Sequence, residues 1–215
     1  MIYINQKKNT SNQGLINLRA ALAYSSPVVM IDFLIGSIVI LQGMYAKYFG
    51  ISLASIALVI LIARLFDAVS DPIVGYFADR HYESSGSRKS WIIASSLLFV
   101  VSSYFLYVPP DDVGTYYFLG WYLIYYLAFT LFQIPHLAWA NELAVSSEQK
   151  TKLYGFRSLA AFLGTLLFFA LPLLPIFENN EFTPETLKWS VLVAGIAMLP
   201  LLFFYLQFTA HKQYL

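Results

Sequence analysis

Asp67 and Asp71 stand one helical turn apart inside an apolar stretch, ISLASIALVILIARLFDAVSDPIVGYFADR, with Arg64 one turn earlier on the same face. Two carboxylates this close resist simultaneous ionisation unless a cation lies between them, because each raises the pKa of the other. Hard oxygen ligands that accept either a sodium ion or a proton are the chemistry of a coupling-ion site. Ser70 and Thr130 are candidates to add neutral oxygens. Plainer readings compete. Asp71-Pro72 also reads as an N-cap with proline at the first helical position, a helix restart. Asp67 also serves simply to neutralise Arg64.

Asp32 and Arg157 are the other charges within apolar segments. A carboxylate and a guanidinium facing one cavity suit a hydroxyl-rich solute, since both offer directional hydrogen bonds where water is scarce. They also suit each other as an interhelical pair. Gln133, at the polar kink FQIPH, fits a ligand contact or a bond between helices. His136 reads as a proton relay or, more simply, as a structural residue near the end of an aromatic-rich helix. After these segments, GYFADRHYESSGSRK reads as a loop in which Gly75, Asp79, Arg80 and Arg88 form a conformational element, a tight turn with a carboxylate set against basic groups.

Such residues need elements that hide them. On insertion scales each charge at the centre of a spanning helix costs about 2.5–3.5 kcal/mol, so Arg64, Asp67 and Asp71 together cost roughly 9 kcal/mol. The apolar residues around them return only about 6 kcal/mol. The chain of 215 residues is 59% hydrophobic and 12% charged, with mean hydropathy +0.64, where soluble domains carry about 25% charge. It therefore reads as a multi-pass membrane protein in a lipid bilayer. The net charge of +1 supplies no basic surface for nucleic acid, and zero cysteines exclude disulfides and thiolate sites. The polar first eighteen residues have no apolar core, so no cleaved signal peptide is expected.

Six segments are long enough to span, near 21–46, 51–79, 91–109, 115–142, 153–175 and 187–209, leaving 1–20 and 210–215 as tails. Of thirteen Lys and Arg residues, nine fall in the tails and the 80–90 and 143–152 loops, Lys47 and Lys188 fall on the opposite side, and Arg64 and Arg157 lie within spans. Both termini are then expected in the cytoplasm, in a plasma or inner membrane. Spans 1, 2, 4 and 5 carry the polar residues, whereas spans 3 and 6 have no ionisable residue at their centres. The expected fold is all-α: spans 1, 2, 4 and 5 line a polar pathway, spans 3 and 6 face lipid, and the order is that of two inverted three-helix repeats.

The motifs together resemble a known family. ARLFDAVSDPIVGYFADR followed by GSRKSW, with LAYSSPVVMIDF, LFQIPHLAWANEL and YGFRSLAAFLG, is similar to the glycoside–pentoside–hexuronide cation symporters, the melibiose-carrier branch of the major facilitator superfamily. The resemblance implies that Asp67, Asp71 and Thr130 bind the coupling cation, with Ser70 where the melibiose carrier has an amide. It implies that Asp32 and Arg157 bind the solute. Gln133 stands where that carrier has a sugar-gripping aspartate, and Ile31 where it has a basic residue, so galactoside specificity does not carry over. Another branch of the family moves lysophospholipids. Family members have twelve spans in two six-helix halves, so the chain resembles the N-terminal half.

The expected function is cation-coupled transport, by sodium or proton, of a small solute such as a sugar or glycoside, with a second six-helix half as partner. No cofactor is expected. If sodium is the ion, Asp67 and Asp71 are its metal ligands. A non-transporting membrane fragment or partner subunit is the alternative, and a lysolipid transporter another. An intramembrane enzyme is disfavoured: the chain has no Gly-x-Gly-Asp motif, no Gly-x-Ser-x-Gly elbow and no metal-binding His pair.

Overall fold

Six stretches are apolar enough over their length to cross a membrane, and each is helical in the computed structural model, which describes residues 17–177 and 180–209. α1 (Leu18–Ile35) and α2 (Ile38–Phe49) share the first span. α3 (Leu53–Ser85), α4 (Lys89–Tyr107) and α5 (Thr115–Leu143) form the next three. α6 (Ser147–Ala170), extended by a 3-10 turn at Leu171–Leu173, and α7 (Pro184–Thr209) complete the set. Among the described residues there is no strand. Most of the expected tails, residues 1–16 and 210–215, lie outside the described residues, and α1 already begins at Leu18.

The first span departs from a single helix at Gly36–Ser37. A Cβ on Gly36 would stand 2.7 Å from Thr165 Oγ1 and 2.9 Å from the Asp32 carbonyl, so only glycine lets α6 come this close. The Tyr107 hydroxyl of α4 donates to the Leu34 carbonyl at 2.6 Å, as does Ser37, which satisfies backbone at the break.

α3 corrects two expectations. The helix runs without interruption through Asp71-Pro72, which overturns the restart reading. It also continues to Ser85, so Gly75, Asp79 and Arg80 are helical rather than part of a loop, and only Arg88 of that group lies in the turn. Ser84 and Ser85 extend the helix by donating to the His81 carbonyl, at 2.9 and 2.8 Å. Gly86, at φ 68°, then supplies the left-handed residue that ends it. α6 starts where Ser146 and Gln149 form a reciprocal capping box.

The packing reproduces itself when the two halves of the bundle are exchanged. α1 lies along α6 and α3 along α5; α5 meets α4 and α1 meets α7; α4 also meets α7. Swapping spans 1, 2 and 3 with 4, 5 and 6 returns the same pairs, as two three-helix repeats require. Partners advance together along α3 and α5 (Arg64 with Tyr126, Asp71 with Thr130), so these helices run parallel. α1 and α6 do the same, with Gly164 against Val29 and Phe168 against Phe33.

Burial among the six spans is uneven. The most apolar window of α4 is 44% buried against 22% for α3, because α4 is wedged between α5 and α7 while α3 leans mainly on α5. Ser95, Ser96, Ser102 and Ser103 are buried on α4 and donate to carbonyls of their own helix. These small residues let neighbours approach without leaving polar groups unpaired.

Candidate functional site

The expected cation ligands come together on the parallel pair α3 and α5. Thr130 Oγ1 donates to Asp71 Oδ1 at 3.0 Å. Ser70, buried one residue before Asp71, donates to the Asp67 carbonyl at 3.4 Å, so its hydroxyl is turned to its own backbone. Asp67 makes an ion pair with Arg64, Oδ2 to Nη1 at 3.2 Å. Its other oxygen, Oδ1, is buried with no hydrogen-bond partner. Neutralisation of Asp67 by Arg64 is therefore real but uses one oxygen of two. A buried carboxylate oxygen with nothing donating to it, one turn from a second carboxylate, suits a small cation. Among the described residues no three His, Cys, Asp or Glu side chains cluster, so a transition-metal centre is not what this arrangement resembles.

The expected solute ligands divide differently. Asp32 on α1 and Arg157 on α6 are half-buried, and they form no ion pair within 4 Å. Arg157 Nε is buried with no partner. What fixes the two helices here is close packing. A Cβ on Gly164 would fall 2.1 Å from the Val29 carbonyl, and Thr165 Oγ1 donates to the Asp32 carbonyl at 3.4 Å. The Asp32 carboxylate and the Gln133 amide make no hydrogen bond among the described residues, which leaves both free for a ligand. Asp71 is exposed and Asp67, Asp32, Gln133 and Arg157 are half-buried, so none of these groups is sealed within the bundle.

His136 has no such access. It is fully buried, its Nε2 donates to the Tyr24 carbonyl at 2.9 Å, and its ring stacks on Tyr24 with centroids 4.2 Å apart. The structural reading fits this packing.

Tyr126 is the residue sequence reasoning missed, because WYLIYY reads as an interfacial belt. Its hydroxyl accepts from Arg64 Nη2 at 3.1 Å, and the guanidinium carbon sits 4.8 Å from its ring centroid. The signal was present: Tyr126, Thr130 and Gln133 follow at helical spacing on one face. Glu142 was missed as well. Arg88, buried in the turn between α3 and α4, reaches Asp79 Oδ1 through Nη2 at 2.7 Å and Glu142 Oε1 through Nε at 2.8 Å. Burial works to lower the Arg88 pKa, but the bonds to Glu142 and Asp79 outweigh it and raise the pKa, so the charge is permanent. This clamp ties the α3–α4 turn to the end of α5.

Comparison with known proteins covers most of the chain. The pattern of the MFS/sugar transport protein family matches residues 13–215. The uncharacterized symporter YnaJ of Bacillus subtilis is 26% identical over 161 residues, 72% of this chain and 34% of that protein. The sodium-dependent lysophosphatidylcholine symporter 1 of Gallus gallus is 30% identical over 156 residues, 66% of this chain and 29% of that protein. The inner membrane symporter YicJ of Escherichia coli is 29% identical over 126 residues, 57% of this chain and 27% of that protein. The chain spans about a third or less of the length of the curated relatives it matches.

Proposed function

Because the chain belongs to the MFS/sugar transport protein family, a family of transporters and not of enzymes, we propose that it is the six-helix amino-terminal half of a cation-coupled symporter. The proposed solute is small and hydroxyl-rich, a sugar or glycoside, held by Asp32, Gln133 and Arg157. Asp67, Asp71 and Thr130 hold sodium or a proton, with Ser70 supporting the turn. Both termini face the cytoplasm of a plasma or inner membrane.

One observation carries this reading. Asp71 is exposed and Asp67, Asp32, Gln133 and Arg157 are only half-buried within spanning helices, where contact with lipid would cost several kcal/mol for each charge. A second six-helix half packed against these helices turns the cost into a water-filled chamber between two bundles, the arrangement alternating access requires. Reciprocal linkage then makes each ligand raise the affinity for the other.

The lysolipid reading has its own support: Gln133 is uncharged, and the Gallus gallus relative is named for lysophosphatidylcholine. Equilibrium binding separates the readings. The purified chain in lipid nanodiscs, titrated with sodium chloride against choline chloride and at varied pH, should bind sodium or a proton saturably, and Asp67→Asn should abolish it. Saturation unaffected by Asp67→Asn removes the ion site. Sodium-dependent binding of a labelled glycoside, but not of lysophosphatidylcholine, supports the sugar reading, and the converse selects the lysolipid.

A further inference from the structure

The Arg64 guanidinium is held in two ways at once. Nη1 pairs with Asp67 Oδ2 at 3.2 Å on its own helix, while Nη2 donates to the Tyr126 hydroxyl at 3.1 Å on α5. The ring beneath it, 4.8 Å from centroid to guanidinium carbon, adds a cation–π contact. Tyr126 itself is buried and fixed among Tyr122 and Tyr125, with ring centroids at 4.9 and 5.8 Å. Arg64 is the movable member: its side chain is 59% exposed against 16% for Asp67, so it can shift without opening the core.

We infer that Arg64 is a tethered competitor of the coupling cation: guanidinium and cation vie for Asp67, and Tyr126 is the second seat that keeps the displaced guanidinium beside the site. The inference rests on the ion-site reading above and adds a residue that sets its affinity. Two positive charges next to one carboxylate repel, and a guanidinium on Oδ2 lowers the negative potential that a cation at Oδ1 would meet. The planar fork of arginine lets it hold Tyr126 with one nitrogen as the other lets go, which a lysine ammonium does less well. The device keeps Asp67 compensated in a membrane whether or not the cation is bound, so that neither step exposes a bare charge.

The test is calorimetric titration of sodium chloride into the full chain in nanodiscs at constant ionic strength. Arg64→Gln should tighten sodium binding by roughly two- to fivefold, the range for a largely exposed pair. Tyr126→Phe removes the second seat's hydroxyl and should weaken it, and Arg64→Lys, which keeps the charge but holds the second seat less well, should weaken it in the same direction. Asp67→Asn is the control for the site itself. If Asp67→Asn abolishes binding while Arg64→Gln leaves it unchanged or weaker, the inference falls and the ion site stands. If neither the unaltered chain nor Arg64→Gln shows binding sensitive to Asp67→Asn, both fall. Should Arg64→Gln fail to fold by circular dichroism, Tyr126→Phe decides: tighter or unchanged sodium binding overturns the inference.

Discussion

Thr130 and Asp71 are joined across the two three-helix repeats by a 3.0 Å hydrogen bond, the threonine hydroxyl donating to Oδ1. The bond fixes one carboxylate of the pair from the neighbouring helix, while Asp67 is held from its own helix by Arg64. Each carboxylate therefore reports on a different element. Thr130→Ala should weaken sodium binding roughly two- to tenfold, the scale of one hydrogen bond, and Thr130→Ser should retain it. Equal affinities for the two variants would show that the hydroxyl is not a ligand.

Gly164 marks the tightest helix approach, its missing Cβ leaving room for the Val29 carbonyl. Gly164→Ala should lower stability by at least about 1–3 kcal/mol through overpacking, read as a fall in thermal midpoint in detergent. Gly155, which has nothing within 4 Å of its Cβ direction, is the comparison: Gly155→Ala should leave the midpoint unchanged or raised. An equal loss at both positions would contradict the packing described for α1 and α6.

Tyr24 and His136 exchange hydrogen bonds, hydroxyl to carbonyl and Nε2 to carbonyl, both at 2.9 Å. Tyr24→Phe removes a buried hydrogen bond to the His136 carbonyl, which keeps its own helical partner, and should cost about 0.5–1.5 kcal/mol. Sodium affinity and its pH dependence should stay as they were, because His136 is sealed from solvent. A shifted pH profile would return His136 to the proton-relay role.

The chain contains no cysteine, so single cysteines report sidedness without background. Ser85 and Asp112 are both exposed, at opposite ends of the bundle, one at the end of α3 and the other just before α5. A membrane-impermeant maleimide should label Ser85→Cys only from the cytoplasmic side and Asp112→Cys only from the other. The reverse pattern would invert the topology that the Lys and Arg distribution implies.

The spans and their order were legible because hydropathy alone sets them; α4, α5 and α7 begin and end within a few residues of expectation. The break at Gly36–Ser37 was not, because it depends on Thr165 from a helix more than a hundred residues away. The helical course through Pro72 was misjudged as an alternative restart, since local rules for Asp-Pro know nothing of the α5 face that α3 follows. Asp67, Asp71 and Thr130 could be grouped from spacing and from the family resemblance. Tyr126 escaped because aromatic residues are abundant here, 18% of the chain, and so carry little information one at a time.

α3 and α6 each lean mainly on one neighbour, and their most apolar windows are 22% and 28% buried, the lowest of the six spans. The carboxylate pair rides on α3 and Arg157 on α6, so both charge clusters sit on outriggers attached to a four-span keel. Each outrigger is fastened along one seam, and for α6 that seam is the close approach at Gly164. Ligands that tug at those side chains thus pull on helices whose outer faces the other four leave uncovered.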